Sequence, residues 1–191
     1  MPQRHVATCL VRRLPLWVLP LFALSTAATV PSAHASADTW IWQNPLPQGN
    51  TLRAVSCPST GLCKSVGDGG TILSWDGASW SMDVSPTTHS LRGVSCPSTG
   101  YCKAVGGGGT ILSWDGVTWS ADTSPTANGL AAVSCSSATQ CKAVGDAGTI
   151  VSWDGSAWTV DSSGRSNPLA GVACASATAC KAVGHDGVLV A

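Results

Sequence analysis

The chain repeats itself every 39 residues: Leu52, Leu91, Leu130 and Leu169 each open the pattern LxxV(S/A)CxxxxxCK(A/S)VGxxG(T/V)(I/L). Three of the copies continue into SWDGxxW, ending at Trp80, Trp119 and Trp158. A repeat of this length is one supersecondary unit that cannot bury its apolar face alone, so the copies must stack on one another.

Within the first copy, four short runs rich in Val, Ile, Ser, Thr and Trp are predicted strands: Leu52 to Cys57, Cys63 to Gly67, Thr71 to Trp75 and Ser79 to Val84. Turn residues separate them, at Pro58 to Gly61, Asp68-Gly69 and Asp76-Gly77. The strands are continuously apolar rather than alternating, which fits sheets covered on both faces by neighbouring sheets. No helical period appears after residue 37. The expected fold is therefore all-β, a β-propeller of four-stranded blades with units at 52–90, 91–129, 130–168 and 169–191.

Residues 1–37 read as a signal peptide. Arg4, Arg12 and Arg13 form a basic leader, Leu14 to Leu24 is an apolar core too short to span a bilayer, and small residues follow. Cleavage after Ala35 or Ala37 suits the small side chains at Ala33, Ala35 and Ala37. Residues near Arg12-Arg13 match a twin-arginine signal poorly, and Cys9 precedes the apolar core, where a lipoprotein cysteine would follow it. The expected destination is secreted, and no second apolar segment offers a membrane span.

Removing the leader also removes Cys9, and the eight remaining cysteines fall one pair to a copy: Cys57/Cys63, Cys96/Cys102, Cys135/Cys141 and Cys174/Cys180. Two strands joined by the five-residue loop between the cysteines bring the flanking residues opposite one another, within disulfide reach, so local pairing is expected. Each closed loop stabilises its blade by about 2 kcal/mol on the chain-entropy model. The competing use of these thiols is zinc bound between copies, which an oxidising destination disfavours.

Charge excludes one class of partner. Residues 38–191 carry seven Lys or Arg against ten Asp, a formal charge of −3, and the chain contains no Glu. No basic cluster is left for phosphate neutralisation, so nucleic acid is not an expected partner. No metal or cofactor is expected either.

The order LxxV, AVGxxGTI, then a DG turn followed by Trp resembles the BNR (Asp-box) propeller repeats, in particular those of photosystem II stability and assembly factor-like proteins. The resemblance covers Trp40 to Ala191 and implies Asp-box positions at Ser74, Asp76, Gly77 and Trp80, at Ser113, Asp115, Gly116 and Trp119, and at Ser152, Asp154, Gly155 and Trp158. The box is one residue short between Asp and Trp, and cysteines occupy positions where such repeats more often have aromatic residues. Each box Asp is expected to accept hydrogen bonds from its own turn, and each Trp to bury its ring between blades. Lys64, Lys103, Lys142 and Lys181 are expected to pack their stems between blades, with an anion-binding ring as the alternative.

Some Asp-box propellers are sialidases, which need clustered arginines, a tyrosine nucleophile and an acidic partner. Only Arg53, Arg92 and Arg165 follow the leader, and Tyr101, in a disulfide-closed loop, is the sole tyrosine. Arg53 and Arg92 are equivalent positions of adjacent copies, a mark of duplication rather than convergence. The expected role is a non-catalytic protein-binding or assembly scaffold, with a glycan- or cell-wall-binding module as the alternative and a glycoside hydrolase third. Positions where the copies differ are the better binding candidates. They lie in the inter-blade loops and second hairpin turns, and single out His89, Arg92, Asp146 and His185, with Trp42 and Tyr101 as stacking platforms for a sugar.

The last unit stops short of its SWDGxxW, and Asp38 to Trp42 resembles a spare fourth strand, with Trp40 in the place of Trp80. Residues 38–51 are thus expected to complete the blade begun by 169–191 and close a monomeric four-blade ring. A piece of a larger propeller and a strand-exchanged dimer of eight blades are the alternatives.

Overall fold

The computed structural model describes residues 49–191, so the leader, the proposed closing strand from Asp38 and both Trp40 and Trp42 lie outside the described residues. Three four-stranded antiparallel sheets and one three-stranded sheet follow one another along the chain. The first contains β1 (Leu52–Ser59), β2 (Leu62–Gly67), β3 (Ile72–Trp75) and β4 (Trp80–Met82). The second contains β5 (Leu91–Ser98), β6 (Tyr101–Gly106), β7 (Ile111–Trp114) and β8 (Trp119–Ala121). The third contains β9 (Leu130–Ser137), β10 (Gln140–Gly145), β11 (Ile150–Trp153) and β12 (Trp158–Asp161). The last contains β13 (Leu169–Ser176), β14 (Ala179–Gly184) and β15 (Leu189–Val190).

Each sheet is a meander in which consecutive strands pair. Its first hairpin is tighter than the turn residues suggest: Ser59 pairs with Leu62, leaving Thr60-Gly61 as the turn. A register shift just before this turn recurs in all four sheets, with or without the proline found at Pro58. The third strand begins one residue later than expected, because Thr71 is held by the preceding turn, donating Oγ1 to the Asp68 carbonyl at 2.7 Å. That turn, Asp68–Gly70, is a short 3-10 segment, repeated at Gly107–Gly109, Asp146–Gly148 and His185–Gly187. It demands a left-handed residue at its centre, and the third and fourth copies supply one without glycine, at Ala147 (φ 53°) and Asp186 (φ 56°).

All eight described cysteines are paired as expected, with Cα separations of 4.0–4.1 Å. No thiolate among them is left for zinc. Cys102 corrects the placement, though not the pairing. A five-residue loop between the cysteines would put them at strand ends, whereas the tight turn lets both strands run past the bridge. Cys102 is therefore an interior residue of β6, opposite Trp114 of β7, and it is fully buried. It belongs to the apolar core with Leu91, Val94, Cys96 and Leu112, so the Cys96–Cys102 bridge is packing material and no part of a surface that a ligand can reach.

The sheets stack through their first strands, β1 on β5, β5 on β9 and β9 on β13. The approach is close: a Cβ built on Gly93 would lie 3.0 Å from Ala132 Cα. A serine of each first strand then bridges to the next. Ser56, Ser95 and Ser134 Oγ accept from the backbone N–H of Cys96, Cys135 and Cys174, each at 3.0 Å. Behind these contacts, Val66 and Ile72 of the first sheet meet Leu91, Ala104 and Leu112 of the second. Val105 and Ile111 repeat the role against Leu130, Ala143 and Val151, and Val144 against Leu169 and Ala182. Burying such side chains is worth roughly 1.5–3 kcal/mol each, so each blade is stable chiefly through its neighbours.

Candidate functional site

The most ordered polar arrangement lies between the blades. Lys64 Nζ donates to Ser74 Oγ at 2.5 Å and to Asp83 Oδ2 at 2.8 Å, although the lysine is only 2% exposed. The next blade closes over it: Trp114 places its ring 3.4 Å from Nζ, and Trp119 Nε1 donates to Asp83 Oδ2 at 2.9 Å. One copy later Lys103 bonds Ser113 and Asp122, stacks 3.7 Å from the Trp153 ring, and Asp122 accepts from Trp158 Nε1. A buried cation is tolerable only when paired and fully hydrogen-bonded, and both lysines meet that condition. Burial nevertheless pushes the Lys103 ammonium below its ordinary value, with Asp122 opposing. Lys64 and Lys103 thus serve the blade interfaces.

The third copy shows what the tryptophans contribute. Lys142 bonds Ser152 and Asp161, yet the lysine is 30% exposed and the aspartate 38%, beside a cavity of about 170 Å³ that also touches Val172 and Val190.

Asp83, Asp122 and Asp161 are essential to this arrangement and escape a reading of the sequence strand by strand. Their signal is the recurring WxxD of Trp80 to Asp83, Trp119 to Asp122 and Trp158 to Asp161.

An aspartate caps the turn between the third and fourth strands of each complete blade. Asp76 Oδ1 accepts from the N–H of Ala78 and Ser79, both at 2.8 Å, and Asp115 and Asp154 repeat the turn. These backbone donors hold all three carboxyls below the usual carboxylate range, Asp154 down to about 2. Because the folded value lies below the unfolded one, their contribution is present above about pH 4 and is lost as pH falls through the folded values. Asp154→Asn should therefore lower the melting temperature at pH 6, and the difference from the natural protein should shrink towards pH 2. A difference that does not change with pH contradicts this.

At the opposite end of the hairpins, inter-blade loops meet the 3-10 turns. Arg53 Nε donates to Asp68 Oδ1 at 2.5 Å within its own blade. Arg92 has no such partner, because Gly107 stands where Asp68 does in the first copy, and it reaches Asp146 of the next blade at 3.7 Å. Asp146 is available because Ala131 replaces the arginine of its own blade. His89 Nδ1 lies 2.8 Å from Thr110 Oγ1, with its ring over the Gly107–Gly109 turn. Asn50 and Asn128 bond the equivalent threonines, Thr71 and Thr149. The two substitutions, Gly107 in the turn and Ala131 at the start of β9, thus turn a repeated intra-blade pair into a pair that spans two blades. His185, in the fourth turn, is exposed beside Asp186, which accepts from Asn167 at 2.9 Å.

The Tyr101 ring packs against the core between the second and third blades, and the hydroxyl is buried without a hydrogen-bond partner. Burial, reinforced by the Asp122 charge, pushes the phenol up to about 12. Its ring is partly buried, and the next residue of this six-residue strand, Cys102, is core.

The fold is shared by solved structures, among them two of YCF48. One, described as YCF48 bound to D1 peptide, superposes with a TM-score of 0.63 at 17% identity, over 78% of this chain and 51% of that one. The other, YCF48 from Cyanidioschyzon merolae, gives a TM-score of 0.58 at 18% identity, over 75% and 53%. Both are β-propellers, and the chain spans about half their length. No family model matches the chain. No curated protein matches it either.

Proposed function

We propose that the chain is an exported, disulfide-stapled propeller that binds a protein segment on its loop-and-turn face and catalyses no reaction. The observation that carries this reading is the Arg92–Asp146 pair, exposed on both sides and bridging two blades next to His89 and a glycine turn. Charged and hydrogen-bonding groups on loops held by a rigid sheet scaffold suit recognition of an extended peptide. The YCF48 structure with D1 peptide is a precedent for peptide binding on this fold. The wiring of the arginines speaks against hydrolysis, since Arg53 and Arg92 each face an aspartate instead of converging on a substrate carboxylate. Four disulfides fit an oxidising compartment, and among the described residues no helix is long and apolar enough to cross a membrane.

Two grooves keep polysaccharide as the second reading. One of about 410 Å³ runs beside Asp83, Trp114 and Trp119, and its counterpart of about 360 Å³ beside Asp122, Trp153 and Trp158. Selection from a displayed peptide library, run beside a glycan array, separates the two. The protein reading expects a saturable peptide whose affinity drops at least about tenfold in Arg92→Ala and Asp146→Ala. Sugar binding that is indifferent to both substitutions replaces it with the polysaccharide reading.

A further inference from the structure

Three blade interfaces inside the chain are built from one pair of faces. The forward face of a blade offers a Val, an Ile and a Lys, and the rear face of the next offers a Leu and a Val, joined in the second and third blades by a Trp. Val66, Val105 and Val144, on three successive forward faces, are fully buried. Their equivalent in the fourth copy, Val183, is 50% exposed, and Leu189, in the place of Ile72, is 68% exposed. Lys181 has no ion partner and no aromatic ring over it among the described residues, whereas Lys64 and Lys103 have both. The rear face of the first blade shows the opposite deficit. Val55 is 60% exposed, where its equivalents Val94 and Val133 are buried, and no cation stacks on Trp75 among the described residues, although its equivalents Trp114 and Trp153 each cover a lysine. No packing of β13 on β1 comparable to the three internal contacts joins these faces among the described residues.

We infer that the forward face of the fourth blade docks the rear face of the first blade of a second copy, head to tail, with Lys181 stacking on Trp75 and Val183 packing beside Val55. The occupant is specified by the protein's own chemistry, since each half lacks what the other carries. One internal contact has no counterpart at this junction: Ala173 stands where Ser56, Ser95 and Ser134 accept from the following blade. The association is therefore weaker than the contacts within a chain and reversible. The surface is separate from the loop-and-turn face, and the inference stands or falls independently of the function proposed for that face.

Light scattering on the exported protein over a range of concentrations tests it. The natural protein should rise above monomer mass as concentration increases. Val183→Asp and Val55→Asp should each weaken association at least about tenfold, because each buries an unpaired carboxylate in the contact. Both positions are exposed in the single chain, so neither substitution disturbs its fold. Mixing the two variants should restore association, since one intact forward face then meets one intact rear face. A protein that stays monomeric throughout, as it would if its own termini closed the gap, overturns the inference. So does association that neither substitution weakens, or a mixture that remains monomeric.

Discussion

Asp122→Ala is expected to lower the unfolding free energy by about 3–5 kcal/mol. The aspartate neutralises Lys103, which is 1% exposed, and also accepts from Trp158 of the next blade. Removing it strands a buried ammonium and an indole N–H together. Replacing both charges by apolar residues, as in Lys103→Met with Asp122→Leu, should recover much of the loss, because the desolvation cost disappears with the charges. Asp161→Ala should cost clearly less, since Lys142 stays in contact with water. Urea unfolding of the four proteins checks the order, and equal losses for Asp122→Ala and Asp161→Ala would contradict it.

Trp119→Ala should cost about 3–5 kcal/mol by the cavity it leaves. The ring is nearly buried, packs 5.6 Å from Trp114 and donates to Asp83, so its loss opens the first blade interface from the outside. Trp119→Phe separates the two contributions. It keeps most of the apolar volume and removes the N–H, and about 1–3 kcal/mol should remain as the cost of leaving Asp83 one donor short. If Trp119→Phe is as stable as the natural protein, the indole N–H contributes nothing and the network account fails at that bond.

The architecture was legible because it is written three or four times over. The 39-residue spacing, the glycine turns and the paired cysteines all recur, so strand order, disulfide pairing and the Asp turns at Asp76, Asp115 and Asp154 follow from local chemistry. The lysine stems were legible for the same reason. Asp83 and its equivalents were not, because their partners come from two strands of their own blade and from the tryptophan of the next. A single acidic residue after a strand reads as solvated until those neighbours are known. Tyr101 is unique in the sequence, and uniqueness marked it for function, whereas its position in register half-buries its ring against the core between the second and third blades. Cys102, beside it, was legible as half of a bridge but not as a core residue, because its burial belongs to the core formed between the first and second blades. The Arg92–Asp146 pair lies between these cases. Both residues stood out because their copies differ, but their contact depends on Gly107 and Ala131, two substitutions that remove the partners each would otherwise have.

Amide hydrogen exchange of the protein with and without a peptide selected on it bears most directly on the claim that recognition belongs to the positions where the repeat varies. Binding should slow exchange in residues 86–92, 107–110, 125–129 and 146–149, and leave the hairpin ends near Thr60, Gly100 and Thr139 unchanged. Protection confined to those hairpin ends, or to the grooves beside Trp119 and Trp158, would contradict the account.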